Sequence, residues 1–142
     1  TLTGHHLHTG LTTVAAGTLQ LGDGGASGSL AGDIQIQTSL VLNRSDEWNL
    51  TAVISGPGAL VHSGSGRTGL LGANSYGGGT TVSAGQLFGG EGSETRTAFG
   101  TGAITVGPGA LLHLDRATLA NDLVLAGGRL LGSNGFGEVL SG

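Results

Sequence analysis

Apolar and polar positions alternate in short bursts along this chain. In Asp33-Ile34-Gln35-Ile36-Gln37 the isoleucines fall on one side and the polar residues on the other. Ala103-Ile104-Thr105-Val106 and Leu112-His113-Leu114 repeat the pattern. A period of two is strand geometry, because successive side chains leave a strand on opposite faces. The bursts are bounded by glycine, as in the stretch LLGANSYGGGTTVSAGQLFGG at residues 70–90. No pattern of period 3.6 is sustained. The one helical candidate, Arg116 to Leu123, is short and lies among strand-like neighbours. The alternation predicts that Ile34, Ile36, Leu42, Ile104, Val106, Leu112 and Leu114 point inward and are buried.

The bursts recur. Gly4, Gly10, Thr12, Thr13, Val14, Ala16, Gly17 and Leu19 match Gly72, Gly78, Thr80, Thr81, Val82, Ala84, Gly85 and Leu87 at a constant offset of 68. Further on the offset slides to 70–72: Gly32, Ile34 and Ile36 answer Gly102, Ile104 and Val106, and Leu40, Leu42 and Arg44 answer Leu112, Leu114 and Arg116. A second echo, Gly56-Pro57-Gly58-Ala59-Leu60-Val61-His62 with Gly107-Pro108-Gly109-Ala110-Leu111-Leu112-His113, has an offset of 51. Both offsets are multiples of 17, and sub-units of about 17–23 residues are the size of solenoid turns. One such turn cannot bury its apolar face alone, so stability is shared along a stack. The expectation is an all-β chain: a parallel β-helix (β-solenoid) of roughly 6–8 coils, forming a single segment over 1–142 with internal repeats at about 1–68 and 69–142. In this reading the glycines are corners, some at positive φ, and Thr80-Thr81-Val82 opens a strand with β-branched residues suited to a pleat.

Composition narrows the class. Glycine occurs 31 times in 142 residues, roughly three times the usual share of about 7%. Hydrophobic residues make up 37%, too many for simple disorder. Only 10% of residues are charged and the net charge is −4. The basic residues Arg44, Arg67, Arg96, Arg116 and Arg129 are scattered, so no cationic face for nucleic acid or anionic membrane forms. There is no cysteine, so disulfides do not stabilise the fold. No apolar run approaches the roughly 18–20 residues of a membrane span.

Gly56, Gly58, Leu60, Gly64, Gly66, Leu70, Gly72, Asn74, Tyr76, Gly78, Thr80, Val82, Gly85 and Leu87 resemble the passenger-associated β-strand repeat of bacterial autotransporters. His62 replaces the lysine of that pattern, and Thr68 replaces a leucine. The earlier copy is more divergent, with His6 and His8 where the pattern has Asn and Tyr. The resemblance implies a right-handed β-helix, export by type V secretion, and display outside the outer membrane of a Gram-negative bacterium. It implies no catalytic residue. The chain starts and stops mid-pattern, so it reads as part of a longer passenger whose translocator β-barrel lies elsewhere.

Candidate chemistry is sparse. Gly64-Ser65-Gly66-Arg67-Thr68-Gly69 spells a dinucleotide fingerprint, but glycine interrupts what should be a helix, so these are expected to be turn glycines. Gly89-Gly90-Glu91-Gly92-Ser93-Glu94 brushes against a calcium repeat in a single copy, and reads as a surface loop. His5, His6 and His8 cluster; on a strand His6 and His8 share a face, a start towards zinc or copper or a pH sensor, but a solvated strand edge is favoured. Asp46 stacking near Asp115 or Asp122 would be needed for a polysaccharide-cleaving carboxylate pair. Trp48, in the polar Ser45-Asp46-Glu47-Trp48-Asn49, is either a binding anchor or a cover for the side of the stack, the latter favoured.

The reading is a non-enzymatic, surface-displayed autotransporter stalk or scaffold without cofactor, metal or catalytic site, serving adhesion or host contact. Its expected partners are a host-surface protein or glycan, its own barrel, and further copies stacked end to end. The alternatives are a β-helical polysaccharide-acting enzyme and a passenger of a two-partner secretion system.

Overall fold

The computed structural model describes residues 1–89, 98–114, 119, 121–132 and the backbone of 138–141. The chain winds as a β-solenoid of about six turns. The first turn holds β1 (His5–His6), β2 (Thr12–Val14) and β3 (Thr18–Leu21), and the second β4 (Ser29–Leu30), β5 (Ile34–Ile36) and β6 (Ser39–Leu42). The third holds β7 (Glu47–Leu50), β8 (Ile54–Ser55) and β9 (Ala59–His62). The fourth holds β10 (Arg67–Leu70) and β11 (Thr80–Val82), the fifth β12 (Gln86–Gly89) and β13 (Ile104–Val106), and the sixth β14 (Leu111–Leu114) and β15 (Leu123–Leu125). β16 (Arg129–Gly132) and β17 (Glu138–Ser141) follow. Among the described residues there is no helix.

Like strands of successive turns stack into sheets. β3, β6, β9, β11, β13 and β15 form one sheet of six strands; β7, β10, β12, β14, β16 and β17 form another. β2, β5 and β8 make a third face, and β1 pairs with β4. Every pairing is parallel except that of β16 with β17.

The register builds the core as columns. Leu21, Leu42, His62, Val82, Val106 and Leu125 stand one above another, at sequence separations of 21, 20, 20, 24 and 19. Leu19, Leu40, Leu60, Thr80, Ile104 and Leu123 make the parallel column. Ile34, Ile36, Leu42, Ile104, Val106, Leu112 and Leu114 are all buried, as the alternation predicts. Each fully buried leucine or isoleucine contributes roughly 1.5–3 kcal/mol relative to exposure.

A turn of about 20 residues has a consequence for the repeats. An offset of 68 is not a whole number of turns. Val14 therefore lies in β2, paired with Ile36 on the third face, whereas Val82 lies in β11, between His62 and Val106. The copies match in sequence but sit one face apart. The echo at offset 51 is out of register: it equates buried His62 with half-buried, outward His113, and half-buried Val61 with buried Leu112. A one-residue slip reverses the facing of every side chain, and the offset that preserves facing pairs Leu60 with Leu112.

Glycine is needed for two reasons, only one of which is the corner conformation expected from sequence. Gly79 has φ of 93°, so a side chain there is strained, and its carbonyl accepts the Leu60 N–H. Gly64 shows the other reason. Its φ is ordinary, but a Cβ would press on the backbone nitrogen and carbonyl oxygen of Arg44 in the turn before. Stacked turns approach too closely at such corners for any side chain. Gly64→Ala should therefore destabilise the chain by about 1–3 kcal/mol, the range for overpacking. Gly10, with open space where its Cβ would be and no positive φ, should accept alanine with no loss, or a gain of up to about 1 kcal/mol. Urea unfolding of the two variants checks the contrast; equal effects would refute the close-approach account.

Candidate functional site

Asn74, Tyr76 and Thr80, the polar residues of the family resemblance, gather inside the fourth turn. No strand forms across residues 71–79, so the third face loses its ladder there. Asn74 fills the gap. Its Oδ1 accepts the Ile54 N–H at 2.8 Å and its Nδ2 donates to the Ala98 carbonyl at 2.7 Å, joining the third turn to the fifth. In the turns before, the corresponding N–H groups of Thr12 and Ile34 reach the backbone carbonyls of Asp33 and Val53. The Asn74 amide thus stands in for a peptide group.

Tyr76, completely buried, meets the Thr80 hydroxyl at 2.6 Å, and Thr80 donates to the Phe99 carbonyl at 3.3 Å. With Thr80 donating onward, the Tyr76 phenol is the donor to Thr80. Burial pushes the Tyr76 phenol well above the ordinary tyrosine range, so it keeps the proton that this chain of bonds needs.

Two further buried polar groups were not anticipated from sequence. Arg44, 4% exposed, donates to the carbonyls of Gly28 and Ala26 and forms two bonds with Asp46 at 2.9 and 2.7 Å. The bonds from Arg44 hold the Asp46 carboxyl below the usual carboxylate range. The Arg44 guanidinium also lies 4.7 Å from the centre of the Trp48 ring. Trp48 is half-buried and packs against the core, so it covers the stack and is not an exposed anchor. His62, completely buried, contacts the Ala84 carbonyl at 2.9 Å and the Thr68 hydroxyl at 3.1 Å. The substituents that distinguish this chain from the family pattern, His62 and Thr68, are therefore partners. Only Asn74, Tyr76 and Thr80 had a signal in the sequence, through the motif.

The remaining candidates stay apart. The rings of His6 and His8 lie 6.4 Å apart, but His5 is engaged by Ser29 and His8 by Thr12, and neither His6 nor His8 occupies an interior position like Asn74 or Tyr76. Among the described residues no three His, Cys, Asp or Glu side chains gather to hold a metal. Gly64 and Gly66 form the corner before β10, and Gly69 lies within that strand, so no helix opens after the G-x-G-x-x-G stretch. Glu47 pairs with Arg67 at 2.6 Å on the outer face, where Arg67 also covers Phe88. Asp122 sits at the corner before β15, three turns beyond Asp46, which precedes β7. Asp115 and the acidic stretch from Gly90 to Glu94 lie outside the described residues.

Asn74→Ala leaves the Ile54 N–H and the Ala98 carbonyl without partners, at about 1–3 kcal/mol for each buried group. Asn74→Asp retains an acceptor for Ile54 but as a carboxylate cannot donate to Ala98. Its folded-state pKa is then raised by burial, so its stability is greatest when the acid is protonated and is lost as pH rises through that value. Denaturant midpoints at pH 4.5 and 7.5 should show acid rescue in the Asp variant and none in the Ala variant.

Residues 1–21 and 60–87 match the Passenger-associated-transport-repeat family, the second match spanning the fourth-turn latch. Over 109 residues, 77% of the chain, it is 43% identical to the adhesin BmaC autotransporter of Brucella suis biovar 1 (strain 1330). The chain spans about 3% of the length of that curated relative. No solved structure matches it significantly. The second matched stretch holds the residues that close the solenoid from within, and at both stretches the chain carries the passenger-associated transport repeat.

Proposed function

We propose that the chain is a stalk segment of an adhesin-type autotransporter passenger, secreted or displayed at the outer membrane of a Gram-negative bacterium and attached to its own translocator barrel. The observation that carries this reading is where the polar chemistry is used. Asn74, Tyr76, Thr80, Arg44 and Asp46 all bond to the protein itself, so the motif's polar residues and the Arg44–Asp46 pair are spent on holding turns together. The similarity to a named adhesin supports a role in contact with a host-surface protein or glycan and a non-enzymatic passenger.

If the segment is a spacer, its function depends on whole turns. Leu42 and Val82 hold equivalent positions in one column, so excising residues 43–82 removes two turns and joins matching register. Excising residues 43–52 removes half a turn. In the full-length passenger on cells, the first deletion should preserve display and adhesion, and the second should abolish display. Adhesion lost with display intact after the two-turn deletion, together with cell binding by the isolated segment, would make this segment the ligand surface instead. Polysaccharide cleavage by the isolated segment would favour the enzymatic reading.

The segment on its own is also proposed to stack end to end. The first turn exposes Leu7 and Leu11, at 82% and 61%, beside strands that pair on one side only, and the chain has no lysine to blunt an edge. Sedimentation across a concentration series should show association that rises with concentration; a strict monomer throughout would refute it.

A further inference from the structure

We propose that His62 is an acid-sensitive joint in the solenoid: a proton taken up by its ring opens the contact between the third and fourth turns. The inference rests on the fold alone and does not depend on the adhesin reading.

His62 is the last residue of β9 and occupies a column that is otherwise leucine and valine, with Leu42 below it and Val82 above. The side chain is completely buried. Its two nitrogens reach two separate parts of the fourth turn. Nδ1 lies 2.9 Å from the carbonyl of Ala84, just past β11, and Nε2 lies 3.1 Å from the hydroxyl of Thr68 on β10. A carbonyl can only accept, so Nδ1 carries the proton and Nε2 accepts from Thr68. This arrangement is complete with one ring proton. A second proton, on Nε2, displaces the Thr68 hydroxyl hydrogen from its acceptor and leaves a full charge in an apolar column.

Among the described residues no counter-charge faces that proton. The elements around the ring present Leu42 from β6, Val82 from β11 and Thr68 from β10. Of the charged groups on neighbouring strands, Arg67 and Glu47 pair with each other on the outer face. Arg44 and Asp46 pair at the corner before β7. Burial, which outweighs the opposing Ala84 bond, lowers the His62 pKa below the ordinary histidine value of 6.5. The unfolded chain therefore binds this proton first. Stability is fully present above about pH 6.5 and falls as pH drops towards the folded-state value.

The test is unfolding of the 142-residue chain in urea between pH 7.5 and 5. The folded-to-unfolded ratio of the parent should fall on the order of tenfold for each pH unit by which the folded value lies below the unfolded one. His62→Gln, which keeps a donor and an acceptor, and His62→Leu, which copies Leu42 in the same column, should both lose that slope. His113→Gln, on the outer face, should retain it. A parent without the slope, or a slope that survives both His62 substitutions, overturns the proposal. The parent also reports without any variant. In an NMR titration the His62 ring should take up its proton below the ordinary histidine value of about 6.5, and amide exchange corrected for its chemical rate should rise first around 59–62 and 80–84. A His62 ring that titrates at the ordinary histidine value, with no local rise in exchange, overturns it equally.

Discussion

The spacing between stacked turns governs the molecule. Backbone hydrogen bonds along the parallel ladders set neighbouring strands about 4.7–4.9 Å apart, and every turn must meet its neighbour at that distance all the way round, corners included. Where the chain bends inward at a corner, no room remains for a Cβ: at Gly64 it would press on the Arg44 backbone. The same spacing explains the scarcity of charge. In a parallel register each outward side chain lies directly over its equivalent, and like charges placed so closely destabilise a sheet. Charge is admitted on the described outer face where it alternates, as in Glu47 beneath Arg67, or where an aromatic lies next in line, as in Arg67 beside Phe88.

Buried polar groups are exceptions to the apolar columns, and they occur where the ladder needs something other than its own backbone. Asn74 replaces a peptide group across the fourth turn. Arg44 satisfies the carbonyls of Gly28 and Ala26, in the stretch between β3 and β4. Asn121 serves the sixth turn in a similar way, donating to the carbonyls of Gly100 and Gly102. Each such side chain ties one turn to another, so each belongs to the fold before it belongs to any surface. An unmet buried carbonyl or N–H costs more than a typical hydrogen bond contributes, so these residues are held in place by the penalty for losing them.

Much of the architecture was legible in the sequence because its causes are local. Period-two alternation set the facing of Ile34, Ile36, Ile104 and Val106, and turn-length repeats implied a solenoid. Turn register was less legible, since it depends on which strands lie side by side. The match of His62 with His113 was a match in name only: one is inward and buried, the other outward. The partners of His62 and Arg44 were hidden for the same reason. Thr68 follows His62 closely in sequence, but Ala84 is 22 residues away, and the carbonyls that hold Arg44 are 16 and 18 residues before it. Contacts that span one turn have no signature in a local pattern.

The motif itself resolves a tension between sequence repeat and structural repeat. If its residues existed to decorate one face of the rod, its copies would recur after whole turns, and they do not: Thr12–Val14 and Thr80–Val82 occupy different faces. What the two copies share is a glycine-bounded approach to a short β-branched strand followed by a further corner, a sequence of bends that any face can use. The copies then diverge in the part that is specific to place. Asn74 and Tyr76 enter the interior where a strand is missing, whereas His6 lies in β1 and His8 is exposed before β2, whose own backbone already pairs with β5. The polar latch is thus retained where the backbone leaves a gap and absent where the backbone fills it, which makes the motif a device for winding the chain and leaves the outer surface free to vary.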